Sequence, residues 1–457
     1  ALLAMYNDSG LPFTNMTTRF TQDAFYTLIK QPSISITLDS LENDAFTLNS
    51  FLNLTLPPLF KEETTANLSN EDLFKLLGVK PENQVSFLLQ EIDRLDSSAL
   101  TKDYIWQSLQ SFFIVKGKTK YYSKSYNKIR CKTLYYTNNL IKHFDHRKLL
   151  QQKLPKASVL SNARREEIVD VIRNSMPLSM REIDTITYMN PETLQLFSLE
   201  RGIEVAIYGM VADRQLPMQS FVGYTLFKNG YPISYGGSWI FGECAMFGLN
   251  IFEEYRGGES SYIMTQILRV YIQTFGLKYY EIEPYQFGNE EAIQTGAFWF
   301  YYKYGFRPLR DDLKELARKE SKKIAANKSY RTSAILLKKL AQSNLFILFQ
   351  DKMPIHRNQI LARILKHVNQ KYKGNFTVAI EEAKHSFRHK LDAKINLDKQ
   401  EEVFFEEMAL WAQTFAIQDE ISLLLMVKAI KAKSTNYVLY NNYINEILAR
   451  TSIRRNY

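Results

Sequence analysis

Arg256, Gly257 and Gly258 stand ahead of Glu259, Ser260 and Ser261, where a strand-like run gives way to a helical one. Consecutive glycines let backbone N–H groups point outward together, and a helix start carries about half a positive charge. A pyrophosphate is the ligand such a turn suits, with the Arg256 guanidinium adding a charge-assisted hydrogen bond. Taken alone, Gly-Gly before a helix is also an ordinary tight turn, so the chemistry rests on the context.

Other reactive groups are sparse. His143 and His146 lie three apart and His385 and His389 four apart, but neither pair has a cysteine partner or the glutamate of an HExxH helix. No metal is expected. Two cysteines, Cys131 and Cys244, cannot staple a chain of 457 residues and suit a reducing compartment. Cys244 sits in a strand-like run and reads as a small buried hydrophobe.

The elements that must position the turn follow from periodicity. Behind it, Ile263, Ile267, Leu268, Tyr271 and Ile272 share one helical face that ends at Gly276. Ahead of it, Ala245–Phe252 is β-rich, and two β-rich runs flank Asn229-Gly230, the pair that a type I′ hairpin turn favours. Gly202–Met210 is an earlier strand and Leu277–Glu283 a later one. Glu290–Tyr304 reads as one helix closed by Gly305, then a short strand at Phe306-Arg307-Pro308, and Asn344–Phe349 as a last strand. This order predicts an α/β domain with a mixed sheet.

On either side the pattern is helical. Ser69 caps a helix through Leu77 that stops at Gly78. Val85, Leu88, Leu89, Ile92 and Leu95 form a stripe, Tyr104 to Phe113 suggests another helix, and Ile168, Val171 and Ile172 a third before Pro177. From 356 onward long helices are expected, including 400–432. The expected architecture is α+β or α/β: a mainly helical region 1–175, a mixed-sheet domain 176–350 and a helical region 351–457. No internal repeat of 20 to 50 residues occurs.

The segment from 202 to about 310 resembles the GNAT N-acyltransferase superfamily. The resemblance lies in the hairpin at Asn229-Gly230, the strand–Arg–Gly–Gly–helix unit Leu249–Gly276, and Gly296–Phe306 (GAFWFYYKYGF), in which Ala297, Tyr301, Gly305 and Phe306 match the family's second motif. It implies that the turn after the fourth strand holds the pyrophosphate of acetyl-coenzyme A or another acyl-coenzyme A, through Arg256, Gly257, Gly258, Ser260 and Ser261. It implies that two strands splay to admit the pantetheine arm, and that Tyr301 protonates the leaving thiolate. The chain departs from the pattern at Glu259, where the family has Gly, at Ser261, where it has Gly or Ala, and at Gln294, where it has Asn. A carboxylate facing a diphosphate repels it by several kcal/mol when unscreened and by little when turned to solvent.

Such a transfer needs a base for the amine. Glu281 and Glu283, two apart on the expected fifth strand, share a face, and Glu283 is the preferred base. Glu253 and Glu254 are rivals, and simple ion pairing is the alternative for all four.

The net charge of +10 permits polyanionic partners. Lys116–Lys153 interleaves basic residues with five tyrosines and one carboxylate, Asp145, and Arg318–Lys339 is a second basic stretch. Solvated helix faces are the ordinary reading of both; nucleic acid or an acidic carrier is the functional one. With 45% apolar and 23% charged residues the chain is expected to fold, and no apolar run approaches a membrane span. The expectation is a cytoplasmic N-acyltransferase acting on an amine-bearing small molecule or protein. The alternatives are a catalytically silent GNAT-like binding module, or a transferase fed by aminoacyl-tRNA or an acyl carrier.

Overall fold

The computed structural model describes residues 2–64, 68–141, 143–216, 218–391 and 395–450. They form two compact units: Ala1–Arg130 with Asn162–Thr187, and Cys131–Ser161 with Tyr188–Tyr457.

In the first unit the expected helices form at Asn70–Leu76, Gln84–Asp93 and Asn162–Ser175. Ser69 caps the first, its side chain accepting the Asp72 N–H at 3.1 Å. The helix expected from Tyr104 through Phe113 is a helix only over Ala99–Ser108. Gln110 is left-handed at φ 46, and the chain re-emerges as a strand. Three antiparallel strands, β1 (Asn15–Thr18), β2 (Ile34–Leu41) and β3 (Ser111–Gly117), line up in the order β1-β3-β2. A short run such as Phe-Phe-Ile-Val satisfies either period. Here alternation wins, because Phe113 and Val115 go into a core beside Phe25 and Trp106. The Trp106 ring lies parallel to Phe113 at 5.9 Å, and its indole N–H donates to the Phe20 carbonyl at 2.8 Å. A buried tryptophan needs such a partner.

The second unit is built on an eight-stranded mixed sheet. Its strands are β4 (Gln195–Ser198), β5 (Ile203–Tyr208), β6 (Ser220–Lys228), β7 (Tyr231–Phe241), β8 (Cys244–Ile251), β9 (Tyr279–Ile282), β10 (Arg307–Pro308) and β11 (Leu345–Leu348). The order across the sheet is β10-β11-β9-β8-β7-β6-β5-β4. Asn229 and Gly230 both have positive φ, 50° and 84°, as the hairpin required. Every pairing is antiparallel except β8 with β9. A parallel pair needs a crossover, which the Ser260–Phe275 helix supplies. That helix buries Ile263, Ile267, Val270 and Tyr271 against the sheet residues Val222, Tyr224 and Phe247. Gly276, at φ 67, ends it.

Two expected long helices are broken. Gly296, left-handed at φ 70, divides Glu290–Thr295 from Ala297–Lys303. Between Lys399–Thr414 and Glu420–Ala432 the chain turns at Ala416, φ 50, and Asp419 restarts it by accepting the Ser422 N–H at 2.9 Å. The helices from Arg357 to Arg450 have their own core around Phe405, Trp411 and Met426. They nevertheless belong to the same unit as the sheet: Asn441 donates to the carbonyls of Gly242 at 2.9 Å and Phe275 at 3.2 Å. Among the described residues no helix is long and apolar enough to cross a membrane.

Candidate functional site

Two features meet at the end of β8, a gap between strands and the glycine turn. β8 and β9 pair only from Cys244/Tyr279 to Met246/Glu281. β8 then runs on to Ile251, whereas β9 stops at Ile282 and Pro284 turns the chain into a short helix, Tyr285–Gly288. Beyond Met246, β8 therefore has no pairing with β9, and its N–H groups on that side need other partners.

Gln286 provides one. Its side-chain carbonyl accepts the Leu249 N–H at 3.2 Å and the Tyr301 hydroxyl at 3.3 Å. Tyr285 approaches the same strand. A Cβ on Gly248 would lie 3.0 Å from its hydroxyl oxygen, so the ring sits close against the strand. Tyr301 is buried among Phe287, Phe300 and Phe306, and burial pushes its phenol well above the ordinary value. It is a proton donor that stays protonated.

Glu283 is the first residue after β9, partly exposed at the mouth of the gap; its backbone carbonyl accepts the Gln286 N–H at 3.1 Å. The expectation that Glu281 and Glu283 share a strand face fails because β9 ends between them. Glu281 is engaged elsewhere, accepting from Asn344 at 2.5 Å and from the Tyr279 hydroxyl at 3.1 Å. Glu253 and Glu254 lie in an exposed single turn.

The glycine turn has the expected backbone but a different set of partners. Gly257 is left-handed at φ 107. Arg256 folds back, donating to the Ile251 carbonyl at 3.2 Å and ion-pairing with Glu291. The Ser260 hydroxyl accepts from the Gly257 N–H at 3.3 Å and lies 3.1 Å from its carbonyl. Ser261 is a partly buried residue in the first turn of the helix. A Cβ on Gly258 would fall 2.4 Å from Leu140 Cδ1, so the segment carrying Leu140 lies directly on the turn.

That segment is held by Glu259. Its carboxylate accepts from Arg201 at 2.8 Å and the Ile141 N–H at 3.1 Å, and it ion-pairs with Lys228. Burial would raise this carboxyl, but the hydrogen bonds from Lys228, Ile141 and Arg201 hold it below the ordinary range. Arg201 also donates to the Tyr135 hydroxyl and the Asn139 carbonyl, both at 2.9 Å. Asn229 at the hairpin tip pairs with both backbone groups of Tyr135 at 2.9 Å. Residues 135–141 thus form a strap across the start of the Ser260–Phe275 helix. Glu259 faces the two cations beneath that strap.

The structure brings Tyr301 and Glu283 to the strand gap and sets Arg256, Gly257, Gly258, Ser260 and Ser261 at the adjoining turn. Gln286, Arg201, Lys228 and the strap were not foreseen; the one advance signal was Glu259 itself, a carboxylate where the motif has glycine. Among the described residues no three His, Cys, Asp or Glu side chains gather as metal ligands. Comparisons with protein-family models, curated proteins and solved structures find no match for this chain.

Proposed function

We propose that the second unit is a GNAT-like N-acyltransferase that moves an acyl group from an acyl-coenzyme A to an amine. The observation that carries the reading is the single parallel pair, β8 with β9, parting after Met246 beside the Arg256-Gly257-Gly258 turn, with the buried Tyr301 hydroxyl directed at the gap through Gln286. The strand order, with β11 between β9 and β10, supports it as well.

In this mechanism the thioester lies in the gap, where the Leu249 N–H bonds it once Gln286 has turned aside. Glu283 takes a proton from the amine, whose nitrogen attacks the carbonyl carbon. The tetrahedral adduct collapses with cleavage of the C–S bond, and Tyr301 protonates the departing thiolate. A content of only two cysteines, Cys131 and Cys244, in 457 residues supports a reducing, cytoplasmic setting.

A second reading, a catalytically silent binding module, draws on the strap over Gly258 and the side chains of Tyr285 and Gln286 in the gap. Calorimetric titration with acetyl-coenzyme A and longer acyl-coenzymes A separates the two. The transferase reading expects saturable binding that weakens in Arg256→Glu and in Tyr285→Trp, which narrows the gap. Folded protein that binds no coenzyme, including as Gln286→Ala, sinks that reading in favour of the silent module.

A further inference from the structure

We infer that the outer face of the β1-β3-β2 sheet, with the loop that follows β3, is a binding surface for single-stranded nucleic acid. This proposal concerns the first unit and is independent of the acyltransferase reading.

Alternate residues of a strand point the same way. Phe113 and Val115 of β3 face the core, so Phe112, Ile114 and Lys116 face outward, and Lys118 and Lys120 follow in the loop. Phe112 and Ile114 are half-buried, while Lys116, Lys118 and Lys120 are exposed. The register sets Asn15 and Thr17 of β1 on one side of this row and Ser35 and Thr37 of β2 on the other. Arg19, just past β1, holds its guanidinium 6.0 Å from the Phe112 ring centroid. The row from Phe112 to Lys118 spans about 20 Å at the rise of an extended strand. It begins with an aromatic ring and an arginine and ends in two lysines, with Lys120 just beyond.

The loop is built to present rings. Tyr121 is 66% exposed and Tyr126 42%, whereas their neighbours Tyr122, Ser123, Asn127 and Ile129 are buried. Asn127 donates to the Val171 carbonyl at 2.9 Å, and the Lys124 N–H to the Gly10 carbonyl at 2.8 Å, which fixes the loop between the two rings and just after the second. Tyr121 and Tyr126 meet edge to face at 6.0 Å, and the Lys120 ammonium lies 5.6 and 5.3 Å from their centroids. Residues 104–144 contain no carboxylate. Acidic groups in this unit are engaged: Glu167 with Arg130 and Arg164, and Asp8 with the Thr17 N–H. Asp39 is exposed near the Phe112 end, where it limits the positive field.

Exposed tyrosines on a fixed loop, interleaved with lysines, match a partner that carries regular negative charge and flat faces. An acidic peptide offers the charge without the faces. The other basic stretch, Arg318–Lys339, is a weaker candidate: Arg318 pairs with Glu315, and Lys323 with Glu320.

The test is fluorescence anisotropy of labelled twenty-nucleotide poly-dT and poly-U against the whole chain. The expected Kd is about 1–10 µM at 50 mM salt, weakening tens of fold by 200 mM. Lys116→Ala/Lys118→Ala/Lys120→Ala should flatten the log–log salt slope by about two. Tyr121→Ala/Tyr126→Ala should weaken binding about tenfold or more and leave that slope unchanged. Circular dichroism melts confirm that both variants fold. The proposal is overturned by no binding at 50 mM salt, by equal competition from poly-glutamate of the same length, or by a tyrosine variant that binds like the parent.

Discussion

Glu259 accepts a hydrogen bond from Arg201 at 2.8 Å, and that contact ties the start of the crossover helix to the turn preceding β5. The carboxylate that breaks the glycine-rich pattern is an anchor for the strap at 135–141. Glu259→Ala leaves Arg201 and Lys228 partly buried without their carboxylate and should cost about 2–4 kcal/mol. The effect is pH-dependent. Because the folded carboxyl titrates below its unfolded value, the stabilisation is complete above about pH 4.3 and is lost as pH falls through the folded value. Urea unfolding of Glu259→Gln and parent should therefore differ at pH 7 and converge toward pH 3.

If Tyr301 protonates the leaving thiolate, Tyr301→Phe should lower kcat at least about tenfold with little change in KM. Burial raises the phenol, so its ionisation should place no alkaline limb in the parent rate profile below about pH 9. Steady-state kinetics with acetyl-coenzyme A between pH 6 and 9 check both points. An unchanged kcat would remove Tyr301 from the chemistry.

Gly236 of β7 sits where a Cβ would come within 2.4 Å of the Gly248 carbonyl oxygen and 2.8 Å of the Tyr224 ring. The first neighbour is backbone, so relief requires β7 and β8 to separate. Gly236→Ala should cost about 2–3 kcal/mol despite the better strand propensity of alanine. Gly257→Ala, with open space around it, should cost only the strain of its left-handed backbone, about 1 kcal/mol. Thermal melts of the two variants side by side decide this order.

Lys433 is 1% exposed; its Nζ donates to the Gln219 carbonyl at 2.5 Å and lies 4.1 Å from the Tyr440 ring centroid. Burial lowers its proton affinity far below the ordinary value, offset in part by Glu407, while Arg357 lowers it further. The unfolded chain then binds more protons between the folded value and about pH 10.4, so stability should rise with pH across that window. Lys433→Met should flatten this rise in unfolding free energies measured from pH 7 to 10. Glu407, raised by burial, acts in the opposite sense and only above its unfolded value near about pH 4.3.

What local chemistry could specify was readable in advance. The Asn229-Gly230 hairpin, the Ser69 cap, the helix behind Gly257-Gly258 and the strands at Gly202–Met210 and Ala245–Phe252 depend on a few neighbouring residues. The same reading missed the left-handed breaks at Gln110, Gly296 and Ala416, where a local turn interrupts an otherwise continuous apolar pattern.

By itself the sequence determined the order of the strands from β5 to β11, the hairpin, the glycine turn and the presence of Tyr301, because turn preferences and hydrophobic period act over a few residues. Only the tertiary structure decided what that turn touches. The partners of Glu259 come from 31, 58 and 118 residues away, and the Leu249 N–H is met by a side chain 37 residues on. Buried carboxylates and unpaired strand N–H groups must find partners, but which ones they find depends on chain closure across those separations, and no local pattern encodes it.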